Sequence, residues 1–154
     1  MAVVLDGKEV ARKIRQNLKE EVSKLKEEGI SPKLAVIMVG DDSASKIYVK
    51  NKSIACNEIG IEYEEYLLNE ETTMDELLNL IDKLNNDKTI NGILLQSPIP
   101  KNLDINEAFK AIDPIKDVDG FNPMNVGKLC LGQDAFISCT PYGVIKILED
   151  YNIE

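Results

Sequence analysis

The chain has 154 residues, 44% hydrophobic and 29% charged, which is enough for one globular domain with a real core. Acidic residues outnumber basic ones by 27 to 18, a net charge of −9, and this argues against a sequence-independent grip on nucleic acid or on an anionic membrane surface. There is no histidine, so acid–base chemistry falls to Lys, Tyr, Asp, Glu or Cys.

Residues 2–5 form a short apolar run that predicts an edge strand. From Lys8 the pattern turns helical, with Val10, Ile14, Leu18, Val22 and Leu25 on one stripe. Gly29 suits the C-terminal cap and Pro32 blocks continuation. Residues 34–39 are a continuous apolar run rich in β-branched side chains, the pattern of a strand buried on both faces. A turn at Gly40-Asp41-Asp42-Ser43 leads into a predicted helix from about Ala44 to Ile59, closed by Gly60. Residues 61–68 read as the next strand. Thr73 and Glu76 have capping-box spacing, opening a helix that turns Leu77, Leu80, Ile81 and Leu84 inward. Residues 90–95 are a further buried-type strand, and Asp104 to Glu107 offers another acidic helix start.

The order β-α-β-α-β-α-β-α predicts an α/β fold, a three-layer sandwich with a mostly parallel sheet flanked by helices. Beyond Ile112 the pattern weakens through residues 113–127, rich in Pro, Asp and Gly. Thr140 and Pro141 then look like the N-cap and first residue of a last helix, apolar enough to need a partner.

Cys56, Cys130 and Cys139 are too few and too scattered for a disulfide framework or a structural zinc site. No apolar run approaches the roughly 20 residues of a membrane helix, and no secretory signal pattern is present. A reduced, cytoplasmic protein without a metal is the simplest expectation.

Three segments carry potential chemistry. In Ser45-Lys46-Ile47-Tyr48-Val49-Lys50-Asn51-Lys52 the tyrosine and lysine are four apart and share a helical face, with Ser45 one turn earlier. Ile47 and Ile54 are expected to point the other way, toward the sheet. A helix following a buried strand sets its first turns at the carboxyl edge of the sheet, where open α/β folds bind ligands. Taken alone, the same pair also reads as a half-buried aromatic and a solvated lysine. Gln96-Ser97-Pro98-Ile99-Pro100 follows a buried strand, placing a polar amide beside the same crevice with a rigid exit; alone it also reads as ordinary turn chemistry. Asp113, Asp117 and Asp119 lie with Lys116 in a Gly/Pro-bearing loop over residues 113–121. It lacks calcium-loop spacing, so it reads as a loop placing one carboxylate on a ligand, or as a solvated acidic loop.

Together these segments resemble the bifunctional methylenetetrahydrofolate dehydrogenase/cyclohydrolase (FolD) family, N-terminal catalytic domain. The matching residues run from Val39-Gly40-Asp41-Asp42-Ser43-Ala44-Ser45 through Tyr48, Lys52, Ala55-Cys56 and Ile59-Gly60-Ile61. They continue in Gly92 to Gln96 with Pro98, Lys116-Asp117-Val118-Asp119-Gly120, and Cys139-Thr140-Pro141 with Gly143. The resemblance implies NADP-dependent oxidation of 5,10-methylenetetrahydrofolate and hydrolysis of the methenyl product to 10-formyltetrahydrofolate, in the one-carbon metabolism that feeds purine biosynthesis. It implies Lys52 as the catalytic group, Tyr48 stacking on the substrate, Gln96 bonded to the lysine and Asp119 on the pterin. Ser45 and Pro98 fall with Tyr48 and Asp119 on the substrate side, and Cys139 and Thr140 at the edge of the NADP site. A homodimer acting on tetrahydrofolate derivatives, without nucleic acid or membrane, completes the expectation.

Those residue types suit the task. A lysine acting as base near neutral pH needs its ammonium form disfavoured, by desolvation or nearby positive charge, and the methenyl substrate is itself cationic. A neutral amide such as Gln96 orients the amine without the stabilisation a carboxylate would give. Ser97 and Ser138 depart from the family, which commonly has an apolar residue and a proline there. In the family a dinucleotide-binding domain follows, yet no G-x-G-x-x-G occurs here. The expectation is therefore a folate-binding catalytic domain over residues 1–139, and at 140–154 the start of a linking helix toward a dinucleotide-binding domain absent from this chain. Two rivals stay open. One is a folate-binding or dimerising module without dehydrogenase activity. The other is a short-chain dehydrogenase using Tyr48 and Lys52, against which stands Asp6-Gly7-Lys8 where that fold needs a glycine-rich turn.

Overall fold

The computed structural model describes residues 3–153. Its elements are α1 (Gly7–Glu27), β1 (Lys33–Val39), α2 (Ser43–Ile59), β2 (Glu62–Leu68), α3 (Met74–Asn86), β3 (Gly92–Gln96), α4 (Ile105–Ala111), α5 (Pro123–Cys130) and α6 (Cys139–Asp150). The strands pair in parallel in the order β2-β1-β3, and each link between successive strands is a helix, as parallel pairing requires.

The apolar run of β1 is continuous because both of its faces are covered. Ala35, Ile37 and Val39 pack with Ile93 and Leu95 against Leu77, Ile81 and Leu84 of α3 and Ala108 near the middle of α4. The alternate side chains, Val36 and Met38 with Leu94, pack against Val49 of α2. Helices thus sit on both sides of the sheet, the α/β layering expected from the alternation of elements. Edge strand β2 is mostly open, with only its Tyr63, Tyr66 and Leu68 partly buried. No helix among the described residues is long and apolar enough to cross a membrane.

Local chemistry sets the boundaries. Asp6 caps α1 by accepting from Lys8 N and Glu9 N, and Asp42 caps α2 by accepting from Ser45 N at 2.7 Å. The capping box of α3 is present in both directions between Thr73 and Glu76. Lys116 Nζ donates to the carbonyl oxygens of Leu84, Asn85 and Asp87 at 2.7–2.9 Å, satisfying the C-terminal end of α3.

Four expectations need correction. Met1 and Ala2 lie outside the described residues, and Val3, Val4 and Leu5 pair with no strand and are exposed. The outer edge of β3 is instead met by the 116–118 segment, where Ile93 N donates to Lys116 O at 2.7 Å and Ile93 bridges Asp117. Residues 113–127 contain the start of α5, capped by Asn122 with Pro123 in the first turn. Helix α6 begins at Cys139 with Ser138 as its N-cap, so Thr140 and Pro141 lie inside the first turn, where a missing N–H costs nothing. Finally, Ile47 and Ile54 face solvent at 62% and 55% exposure. Helix α2 turns Ser45, Val49, Cys56 and Ile59 inward instead.

Candidate active site

Helix α2 and strand β3 meet through two side chains. Lys52 Nζ donates to Gln96 Oε1 at 2.8 Å, bridging 44 residues of sequence. The Gln96 amide is oriented at its other end by its own main chain, since Nε2 donates to the Ser97 carbonyl at 2.7 Å. A carbonyl accepts and cannot donate; the amide nitrogen therefore faces Ser97 and the oxygen faces Lys52. Serine at 97 thus contributes through its backbone, which any residue supplies. Lys52 also lies 5.8 Å from the centroid of the Tyr48 ring, at the outer reach of a cation–π contact. Tyr48 is 61% exposed, leaving a flat aromatic face open beside the amine.

The third component arrives on the loop after α4. That loop crosses β3 so closely that a Cβ on Gly92 would stand 2.6 Å from Val118 Cγ1. Gly120 has φ +70°, and a Cβ there would meet the Phe136 carbonyl oxygen and the Ser138 nitrogen at 2.9 Å. Residues 136–138 therefore lie directly on the Asp119–Gly120 turn, delivering Cys139 beside it. The Cys139 thiol donates to the Val118 carbonyl at 3.6 Å. Although Cys139 is exposed as a residue, the protein packed around its sulfur and the neighbouring Asp119 carboxylate push this thiol up to about 11, against a smaller opposing pull from Lys52. Lys52, Asp119 and Cys139 accordingly share one electrostatic environment. At Ser138 the backbone φ is −53°, close to the angle a proline ring would impose, so serine there keeps the turn.

The three loop acids do different things. Asp113 accepts from Ile115 N, Asp117 is buried and accepts three N–H groups, and Asp119 is the one left at the cleft. Among the described residues no group of three His, Cys, Asp or Glu side chains is placed to hold a metal ion.

The remaining sequence candidates are more dispersed. Ser45 is 2% exposed, and its Oγ has no hydrogen-bond partner among the described residues; it lies under the first turn of α2 rather than open beside Tyr48. Pro98 is exposed and borders a shallow cavity of about 300 Å³ with Asp41, Asp42 and Glu70. Thr140 is exposed and lines a groove of about 680 Å³ between α1 and α6. That groove and a cavity of about 560 Å³ between α2 and β2 are larger than the one at Pro98, and neither contains Lys52. The chemistry gathers on an open cleft. Asn122 and Asn125, both buried, were not singled out in the sequence; Asn122 directly before Pro123 was the available signal, as an N-cap followed by Pro at the first helical position.

Comparison with known proteins identifies the family. Residues 5–119 match the family described as tetrahydrofolate dehydrogenase/cyclohydrolase, catalytic domain. The chain is 51% identical over 154 residues to the bifunctional protein FolD of Geotalea daltonii, covering 100% of this chain and 55% of that one. The crystal structure of the bifunctional FolD enzyme of Campylobacter jejuni superposes with a TM-score of 0.96 at 49% identity, over 98% of this chain and 54% of that one. The Trypanosoma brucei FolD structure, complexed with NADP cofactor and inhibitor, does so with a TM-score of 0.95 at 32% identity, over 99% of this chain and 53% of that one. The chain spans about half the length of the relatives it matches. It belongs to the tetrahydrofolate dehydrogenase/cyclohydrolase family.

Proposed function

We propose that this chain is the folate-side catalytic portion of a methylenetetrahydrofolate dehydrogenase/methenyltetrahydrofolate cyclohydrolase. The observation that carries the reading is the 2.8 Å bond from Lys52 to a Gln96 amide whose orientation is fixed from behind. Tyr48 offers its open ring to the substrate's aromatic system. Asp119 accepts from the pterin's amino and ring N–H donors, a bidentate match. In the hydrolytic step Lys52 takes the proton from the water that adds to the methenyl carbon, and ring opening leaves 10-formyltetrahydrofolate. Pro98 and Ser45 belong to the substrate side of the same sheet edge, Ser45 from beneath the first turn of α2.

The preceding oxidation needs NADP as hydride acceptor. This chain lacks a G-x-G-x-x-G turn, and its residues do not by themselves fit the cofactor's phosphates. Cys139 and Thr140 stand at the edge of the NADP site in this reading. Residues 1–139 form the folate-binding catalytic domain in this reading, and 140–154 begin a linking helix. A homodimer working in the cytoplasm, in one-carbon metabolism serving purine biosynthesis, completes it.

Calorimetric titration of the chain with tetrahydrofolate analogues tests the core of the proposal. Weak binding is expected, with little or no NADP-dependent turnover. Absence of heat or of competition at millimolar ligand removes the folate assignment. The lack of a G-x-G-x-x-G turn among these residues favours one second reading, a folate-binding or dimerising module without dehydrogenase activity. A robust NADP-dependent rise in methenyl absorbance excludes it.

A further inference from the structure

Among the described residues no main-chain group bonds the Asp119 carboxylate, whereas the residues around it are tied down by buried hydrogen bonds. Three of the five buried polar residues among those described, Asp117, Asn122 and Asn125, lie within six positions of it. Asp117 is 2% exposed. Its Oδ1 accepts from Phe121 N at 3.3 Å, and its Oδ2 accepts from Asn122 N at 2.8 Å and from Asn125 Nδ2 at 2.9 Å. Asn122 Nδ2 donates in turn to the Phe109, Lys110 and Ile112 carbonyls at the end of α4. Asn125 Nδ2 also donates to the Pro114 carbonyl. On the near side, Gly120 N donates to the Asp117 carbonyl at 3.2 Å.

Asp117, Asn122 and Asn125 are buried, and none of their hydrogen bonds goes to Lys52, Gln96 or Tyr48. A buried polar network is expensive unless every member is satisfied, so a network placed here needs a reason. It closes a loop around Val118 and Asp119: the chain is pinned to β3 just before them and tied back to Asp117 just after. We propose that Asp117 is a positioning residue. Its buried carboxylate, through Asn122 and Asn125, pre-sets the Asp119 carboxylate at the mouth of the cleft before any ligand arrives. This rests on the folate reading above. A preset acceptor spares the ligand the cost of ordering the loop on binding.

The decisive experiment is a double-mutant cycle in the 154-residue chain, using Asp117→Asn, Asp119→Asn and the double variant. Affinity for 5-formyltetrahydrofolate is measured by calorimetry well below each melting temperature. Asp117→Asn keeps the shape but sets an N–H₂ against N–H donors, and it should weaken binding about tenfold by releasing the turn. In the Asp119→Asn background the same change should add nothing, because there is no longer a carboxylate to position. A purely structural Asp117 predicts losses that multiply, or no loss in the single variant; either result overturns the proposal. If Asp117→Asn does not fold, Asn125→Ala takes its place in the cycle, with a smaller loss and the same non-additivity expected. Failure of the folate reading is separable. If the parent chain binds no folate, amide exchange decides the positioning claim: Asp117→Asn should accelerate exchange at residues 118–121 while leaving β1 and α2 unchanged, and unchanged exchange at 118–121 overturns it.

Discussion

An amine and an amide 2.8 Å apart, each anchored on a different element, make a sensitive pair for mutation. Lys52→Ala removes one partly buried hydrogen bond and should cost about 1 kcal/mol, lowering the melting temperature by roughly 2–4 °C for a chain of this size. The same substitution should abolish hydrolysis of 5,10-methenyltetrahydrofolate in an enzyme that contains this chain; unchanged hydrolysis would strip Lys52 of its role. Cys139 supplies a second, pH-based test. Its thiol is raised from 9.0 to about 11, and only the thiolate is alkylated readily. Iodoacetamide labelling of Cys139, followed by peptide mass, should therefore keep rising between pH 9 and 11. Asp119→Asn should shift that rise to lower pH; a rate already level near pH 9 would remove Asp119 from the thiol's side. At this scale the sequence was informative where spacing alone decides, as for Tyr48 and Lys52 on one helical face. It was silent where the partner comes from far along the chain. Nothing local to Cys139 indicates that Gly120 lets residues 136–138 lie on the Asp119 turn, and nothing local to Asp117 distinguishes a buried acceptor of three N–H groups from a solvated acid.

Helix starts show the same division. The capping box at Thr73 was legible because both partners lie within four residues. Thr73→Ala should cost about 1 kcal/mol, read as a small fall in melting temperature. The pH dependence has a definite sign. Glu76 is held below its ordinary 4.5 by the Thr73 backbone N–H, and Asp42 below its ordinary 3.8 by Ser45 N. Depressed carboxyls stabilise the fold above their ordinary values, and that contribution is lost as pH falls through their lowered ones. Acid melts should therefore show stability eroding below about pH 4, and Thr73→Ala should flatten part of that slope. Helix α5 escaped the sequence reading because it has eight residues, contains Gly127 and buries only Asn125, leaving no apolar stripe to read. The misassigned face of α2 has a related cause. Ile47 and Ile54 are its obvious apolar residues, but the helix is rotated so that Ser45, Val49 and Cys56 are buried instead, with Val49 packed on the sheet. Gly120→Ala tests how much the 136–138 contact matters. With φ +70° and backbone atoms at 2.9 Å, it should cost about 1–3 kcal/mol and weaken folate binding by displacing Cys139 and Asp119 together.

Across the whole molecule, firmness is uneven. Strand β1 is bonded on both sides and buried on both faces. Helix α6 buries no residue fully and leans on α1 through Ile147 against Gly7, the Lys13–Asp150 ion pair and the Tyr151 hydroxyl, which accepts from Asp6 N. Amide exchange should accordingly be fast in α6 and slow in β1; equal protection in the two would show that α6 is docked far more tightly than these contacts suggest. The α/β class was readable from alternation alone, whereas the strand count was not, because a short apolar run such as residues 3–5 has no way to announce that the sheet edge is already taken. The Lys52–Gln96 bond spans 44 positions, and Asp119 lies a further 23 along the chain. No short peptide cut from this protein can carry the site, and no early stage of refolding can contain it, since a loop of that length closes only when β1 and β3 have paired. The appearance of folate affinity after dilution from denaturant would thus serve as a clock for sheet closure, reporting assembly through chemistry rather than through spectroscopy.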